Sequence, residues 1–103
     1  MQLGSTNSNV TVSGNMISNT STDGVVARGN TNLTLSDNTF TMIGDDAFDF
    51  GATSYSSLLP GSNGNVTTDA PGGQICRGVA GIFTGTLQVT DQNGILQTFT
   101  NGC

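Results

Sequence analysis

Three aspartates are the residues of this sequence best suited to chemistry: Asp23, Asp45 and Asp46. Asp23 and Asp46 begin two similar stretches of the chain, and Asp45 directly precedes Asp46. If folding brings the three together, their repulsion raises at least one pKa, so the group could supply an acid and a base. With Asp49 added, the same carboxylates could instead bind Ca²⁺. In a third interpretation they are turn residues whose carboxylates accept hydrogen bonds from nearby backbone N–H groups.

The element that would position these aspartates is a repeat of constant period. Residues 9–17 align with residues 32–40, and residues 23–27 align with residues 46–50. Within each copy apolar and polar residues alternate, as they do in half-buried strands. Units of fixed period bury their apolar faces by stacking on one another. The sequence therefore predicts an all-β fold, a short right-handed parallel β-helix, with aspartates of adjacent coils about 4.8 Å apart at the backbone.

Two coils are predicted, over residues 9–31 and 32–54, after a polar and loose entry segment of residues 1–8 that leaves the first coil uncovered. Asn15 stacks on Asn38 in this alignment. Their amides either hydrogen-bond along the stack, as in cross-β ladders, or serve only the turn. The residues predicted to point into the core are apolar at matching positions of the repeat: Val10, Val12, Ile17, Leu33, Leu35, Phe40, Phe48 and Phe50.

The remaining residues, 55–103, are predicted to complete the single domain begun by residues 1–54. After Gly51 the repeat fades, and residues 55–74 are predicted to form a loop or a degenerate third coil. Turn signals are frequent in this stretch, since Gly and Pro in close succession interrupt strands. These signals are Pro60-Gly61, Asn63-Gly64 and Pro71-Gly72-Gly73.

A hairpin is predicted at the end of the chain, because residues 81–90 and 95–100 alternate in polarity around an Asn-Gly turn. Such a hairpin can cap the core and the open strand edges of the last coil. Cys76 and Cys103 are the only cysteines, too few for a metal site in a chain without His. We therefore expect a disulfide that pins the cap, contributes roughly 3 to 4 kcal/mol and indicates an extracellular or cell-surface location.

Composition excludes several classes of partner. Only 9% of the residues are charged, Lys, Glu, His and Trp are absent, and the net charge is −5. Nucleic acids require a basic surface, so we expect none to bind. No apolar run approaches the roughly 20 residues that span a bilayer, so no membrane insertion is expected. Because Met1 starts no signal peptide, we expect a segment of a longer protein with its export signal upstream.

Two resemblances accompany these patterns. The repeats resemble right-handed parallel β-helix proteins of the secreted or bacterial surface type. The segments Ser21-Thr22-Asp23-Gly24 and Gly44-Asp45-Asp46 are similar to motifs in adjacent coils of polygalacturonase-type glycoside hydrolases, where three carboxylates act on the glycosidic bond. This second resemblance implies that Asp23, Asp45 and Asp46 supply the acid and the water-activating base of an inverting hydrolysis. The family's Gly-His-Gly and Arg-x-Lys motifs are absent, because the chain has neither His nor Lys.

The function predicted from the sequence is a structural or adhesive segment, near the C-terminal end of an exported β-helix surface protein. It would have no catalytic residue, no cofactor other than Ca²⁺, and a polysaccharide or a host surface as partner. The alternative is a fragment of a carbohydrate-active, polygalacturonase-like enzyme. The open end at Val10 and Val12 predicts self-association, unless residues 1–8 fold over it.

Overall fold

The computed structural model describes residues 1–68 and 75–103, which form an all-β solenoid of about three turns. Its strands are short because Gly, Asn and Asp residues with left-handed backbone bend the chain between them. No helix in the described part of the chain is long and apolar enough to span a membrane. The strands are β1 (Gln2–Leu3), β2 (Thr11–Ser13), β3 (Met16–Thr20), β4 (Val25–Ala27), β5 (Thr34–Ser36), β6 (Thr39–Ile43), β7 (Phe48–Asp49), β8 (Ser56–Ser57), β9 (Asn65–Thr67), β10 (Cys76–Arg77), β11 (Phe83–Thr84), β12 (Thr86–Thr90) and β13 (Leu96–Thr100).

The first two coils stack in the register that the repeat predicts. Strands β2, β3 and β4 of the first coil pair in parallel with β5, β6 and β7 of the second. One pair from each sheet shows the same offset along the chain: Val12 with Leu35, Ile17 with Phe40, and Val25 with Phe48. The prediction of a parallel β-helix is therefore confirmed.

A third coil follows, formed by β8, β9 and β10. Here the repeat lengthens, because Phe40 pairs with Thr67 and Phe48 pairs with Cys76. The turn signals Pro60-Gly61 and Asn63-Gly64 lie between β8 and β9, where the chain takes a longer path around the corner. Residues 55–74 are thus a coil where they are described, and the signal Pro71-Gly72-Gly73 lies outside the described residues.

Stacked asparagines join the three coils along one corner. Asn15 Nδ2 donates to Asn38 Oδ1 over 3.1 Å, and Asn38 Nδ2 donates to Asn65 Oδ1 over 3.0 Å. Asn38 and Asn65 are fully buried, and Asn65 also donates to the Leu35 carbonyl over 2.8 Å. Of the two interpretations of these residues, the structure shows the ladder, and it extends the ladder by Asn65.

The C-terminal hairpin closes the solenoid as predicted. Strands β12 and β13 pair antiparallel, and β12 adds in parallel to β9 of the third coil. The predicted first strand, residues 81–90, is divided at Gly85, whose φ of 101° turns the chain from the β8 sheet to the β9 sheet. A side chain there would meet the Leu58 carbonyl oxygen at 2.5 Å. A disulfide between Cys76 and Cys103 ties the chain end to the third coil, as expected.

The expectation of a loose entry segment is wrong. Strand β1 pairs in parallel with β4, with Leu3 opposite Ala27, and Ser8 forms a bridge with Thr31. Leu3 also packs against the core. The sequence did not reveal this because the segment carries a single apolar residue, Leu3, after Met1, too few to show an alternation. Residues 1–8 therefore cover part of the first coil.

The core is a single column of apolar side chains inside the stack. Four of the five phenylalanines are fully buried, and they form two ring contacts, Phe40 with Phe48 and Phe50 with Phe83, at centroid distances of 4.8 and 4.5 Å. Six of the eight predicted core residues are buried: Val12, Leu33, Leu35, Phe40, Phe48 and Phe50. The other two, Val10 and Ile17, are partly buried against the core because they lie at its N-terminal end.

Candidate functional site

Most of the charged side chains gather on one side of the solenoid. The chain has seven aspartates and two arginines, of which Asp69 lies outside the described residues. Six of the other eight lie in or directly beside strands β4, β7 and β10, whereas Asp37 and Asp91 lie elsewhere. We call the six residues the charged cluster: Asp23, Arg28, Asp45, Asp46, Asp49 and Arg77.

Stacking of the first two coils brings the three predicted aspartates together. One carboxylate oxygen from each of Asp23, Asp45 and Asp46 lies within 4.8 Å of those of the other two. Asp23 and Asp46 occupy matching positions before β4 and β7, and the Asp46 side chain is buried. The Asp46 backbone N–H donates to Asp23 Oδ1 over 3.2 Å, so this carboxylate links the two coils as a turn residue does.

The glycines of the two motifs have a structural reason to be there. A side chain at Gly44 would meet the backbone of Ser21 in the preceding coil, with its carbonyl oxygen at 2.5 Å. A side chain at Gly24 would meet the Phe40 ring at 2.6 Å. Close packing of coils thus accounts for the glycines of the Asp-Gly and Gly-Asp-Asp patterns.

Asp49, the fourth ligand of the predicted cation site, is used differently. Its carboxylate is 1% exposed and forms an ion pair with Arg28, whose side chain is 50% exposed. Its Oδ1 also accepts a hydrogen bond of 2.8 Å from the Gly51 backbone N–H. Asp49 is therefore occupied with holding Arg28, and the structure groups only Asp23, Asp45 and Asp46 as neighbouring oxygen donors among the described residues.

A cleft of about 490 Å³ adjoins the arginines of the charged cluster, and its volume is within the usual range of ligand sites. Both arginines of the chain line it, together with Thr53 and Val79 among others. Arg77 connects the cleft to the aspartates, since its Nη1 lies 3.9 Å from Asp46 Oδ2 and its side chain is 60% exposed. Sequence reasoning did not assign either arginine to the site. The signal available was that these are the only two cationic side chains of an acidic chain.

The geometry limits what the aspartates can do. Oxygens within 4.8 Å of one another can contact one Ca²⁺ at roughly 2.3 to 2.6 Å. The rest of its six to eight ligands would be second carboxylate oxygens, backbone carbonyls or water. Inverting glycoside hydrolysis needs carboxyl groups roughly 6.5 to 9.5 Å apart, because a water molecule must fit between the base and the sugar. The nearest oxygens of the three aspartates lie within 4.8 Å of one another.

Comparison of the chain with protein-family models, with curated proteins and with solved structures finds no match. The solenoid itself is a β-helix fold. The likeness of Asp23-Gly24 and Gly44-Asp45-Asp46 to hydrolase motifs stays a resemblance of short segments. The activity of this chain is therefore a matter for proposals from its geometry.

Proposed function

We propose that this chain is a structural and adhesive segment of an exported β-helix surface protein, and that it attaches to a polysaccharide through the charged cluster. The observation that carries the proposal is the grouping of six of the eight charged side chains in the described residues around strands β4, β7 and β10, where two of them, Arg28 and Arg77, line a cleft. Charged groups are otherwise sparse, at 9% of the sequence. Their concentration on one side makes this the most highly charged surface among the described residues.

The chemistry of the cluster fits a sugar polymer without charge. Vicinal hydroxyls both donate and accept hydrogen bonds, so they suit a surface that offers carboxylate acceptors beside guanidinium donors. Four aspartates and two arginines leave the cluster negative, which disfavours polyanions such as nucleic acids and acidic polysaccharides. Hydrogen bonds to charged groups contribute about 1.5 to 3 kcal/mol each, so two or three suffice for weak attachment.

The solenoid presents these groups on a preformed scaffold. Asp49 is buried and holds Arg28 at the cleft, and stacked backbone hydrogen bonds hold Asp23 and Asp46 side by side. Side chains fixed before binding lose less conformational entropy when a ligand arrives. The disulfide agrees with an oxidising, extracellular location, where polysaccharides are available.

The proposal is tested by binding to a panel of polysaccharides, neutral and acidic, in affinity electrophoresis or pull-down experiments. We expect retention by at least one neutral polysaccharide. The variant Arg77→Gln removes an exposed guanidinium from the cleft and should weaken this binding at least about tenfold, because one hydrogen bond to a charged group supplies roughly 1.5 to 3 kcal/mol.

Asp37→Asn is the matched control, because Asp37 is exposed and lies away from the charged cluster between β5 and β6. It should leave binding unchanged. Asparagine also tolerates the left-handed backbone at this position, where φ is 55°. Binding to none of the polysaccharides, or equal losses in the two variants, would contradict the proposal.

A second candidate is a fragment of a carbohydrate-active enzyme, favoured by the proximity of Asp23, Asp45 and Asp46. In this case the aspartates would supply the acid and the base for hydrolysis of a glycosidic bond. Incubation with soluble polysaccharides and measurement of released reducing ends tests it. Release that Asp46→Asn abolishes would favour the enzyme. We expect none, because the chain has neither the His nor the Lys that the hydrolase motifs contain.

A further inference from the structure

The cleft is lined by two groups of residues that are held in different ways. The first group is Arg28 with residues 51–53, and the second is residues 77–79, which we call the third-coil wall. Arg28 is fixed from within the stack, because buried Asp49 pairs with it and Gly51 leaves room for its side chain. A side chain at Gly51 would meet Arg28 Nε at 2.9 Å. The first two coils therefore position the first group.

The third-coil wall has a weaker attachment to the stack. It follows from β10, which has only two residues, Cys76 and Arg77, and pairs in parallel with β7. The chain then turns, and the Ile82 N–H donates to the Val79 carbonyl over 3.1 Å. The side chains of Arg77 and Val79 are both exposed. Short pairing and exposed side chains are typical of segments that open locally, so this wall depends on contacts from elsewhere in the fold.

The segment after β13 provides such contacts. Asn101 is anchored on Gly85, because its N–H donates to the Gly85 carbonyl over 2.9 Å and its Oδ1 accepts from the Gly85 N–H over 3.0 Å. Its carbonyl accepts a hydrogen bond of 2.6 Å from the Gly81 N–H, in the turn that follows the wall. Gly102 lies so close to the same turn that a side chain there would meet the Val79 carbonyl oxygen at 2.8 Å.

The disulfide adds a covalent link to these contacts. It joins Cys103 to Cys76, which is buried and directly precedes Arg77. We infer that residues 101–103 position the third-coil wall, so that the disulfide supports the ligand cleft as well as the cap. A wall fixed in advance loses less conformational entropy when a ligand binds. Its role in binding rests on the proposed function, in which this cleft attaches to a polysaccharide.

The variant Gly102→Ala tests the contact while the disulfide is kept. Its methyl group must displace the Val79 carbonyl, so amide hydrogen exchange at residues 77–81, followed by NMR, should become about tenfold faster. Residues 25–27, in β4 of the first coil, should exchange at wild-type rates. Binding to the neutral polysaccharide that retains the wild-type chain should weaken about tenfold.

Gly61→Ala is the matched control. Gly61 also has a positive φ, 97° against 132° at Gly102, but no atom lies within 4 Å of a side chain added there. Both variants therefore strain the backbone, and only Gly102→Ala collides with the wall. Gly61 lies between β8 and β9 and does not line the cleft. Exchange at residues 77–81 and binding should both stay unchanged.

Dithiothreitol tests the disulfide itself. It gives two electrons and two protons to the S–S bond, which leaves two thiols on the protein, and it becomes a cyclic disulfide. Exchange at residues 77–81 should again become at least about tenfold faster, because the wall has lost its covalent link. Circular dichroism shows that the reduced chain keeps its fold. This arm decides the question where Gly102→Ala does not fold.

Wild-type exchange rates at residues 77–81 in folded Gly102→Ala or in the reduced chain would overturn the inference. So would faster exchange in Gly61→Ala, or polysaccharide binding that stays unchanged while exchange at the wall is faster. A wild-type chain that no polysaccharide retains would contradict the proposed function alone, because the exchange rates still decide whether residues 101–103 position the wall.

Discussion

Replacing Asn38, the middle residue of the asparagine ladder, by alanine should destabilise the protein strongly. The Asn38 side chain is fully buried and takes part in four hydrogen bonds. Its Oδ1 accepts from the backbone N–H and Nδ2 of Asn15, and its Nδ2 donates to the Val12 carbonyl and to Asn65 Oδ1, over 2.9 to 3.2 Å. At about 1 kcal/mol for each bond, Asn38→Ala should cost roughly 4 kcal/mol.

Asn30 provides a control of the same residue type and the same burial. It is also fully buried, but its side chain makes one long hydrogen bond, from Nδ2 to the Arg28 carbonyl over 3.4 Å. Its Oδ1 has no hydrogen-bond partner in the described residues. Asn30→Ala therefore removes the same volume and should cost about 1 kcal/mol for the bond it loses, plus the same cavity cost.

The assay is equilibrium unfolding in urea, with the free energy of unfolding taken by linear extrapolation. The account predicts that Asn38→Ala loses about 3 kcal/mol more than Asn30→Ala, from the difference of three hydrogen bonds. This is a large part of the roughly 5 to 15 kcal/mol that stabilises an ordinary domain. Equal losses would refute the reasoning, since they would mean that volume alone matters at these positions.

Reduction of Cys76–Cys103 should lower the free energy of unfolding by about 3 kcal/mol in urea titrations, because a loop with a sequence separation of 27 is released. Two reactive thiols in the unreduced native protein would contradict this. Millimolar Ca²⁺ should leave the melting temperature unchanged if the aspartates serve as turn residues; a rise that Asp46→Asn abolishes would instead show a cation site. Hydrogen bonds from Gln97 and from the Ile95 backbone N–H hold the pKa of Asp91 below its ordinary value of 3.8. Ionised Asp91 therefore stabilises the hairpin above that pH, and the contribution is lost as the pH falls through the lowered pKa; an NMR titration giving a pKa of 3.8 or higher would contradict it.

The fold could be read from the sequence where the period stays constant. Apolar residues at matching positions of the first two coils determined both the register and the core, because a shift by one residue would turn every side chain to the other face. For residues 55–74 the sequence leaves two alternatives open, a loop or a third coil. The reason is that the longer corner between Leu58 and Asn65 interrupts the constant period. The ladder position of Asn65 depends on this corner, so no fixed period could reveal it.

The site was predicted only in part, for a related reason. Asp23 and Asp46 occupy matching positions of the repeat, so their proximity follows from the period. The ion-pair partners of Asp49 and Asp46 are arginines of neighbouring coils, whose long side chains extend from one coil to the next. Arg28 extends from the first coil to Asp49 in the second, and Arg77 approaches Asp46 from the third coil. Because the third coil has a different length, its arginine could not be aligned with the aspartates in advance.

The most direct test of the proposed function is to map by NMR where a bound sugar lies. Amide shifts are recorded while a soluble neutral oligosaccharide, derived from the polysaccharide that retains the protein, is titrated in. The account predicts shift changes at residues 23–28, 45–53 and 76–79, around the charged cluster and its cleft. Changes centred instead on the outer face of the five-stranded sheet, or no saturable changes at all, would contradict it.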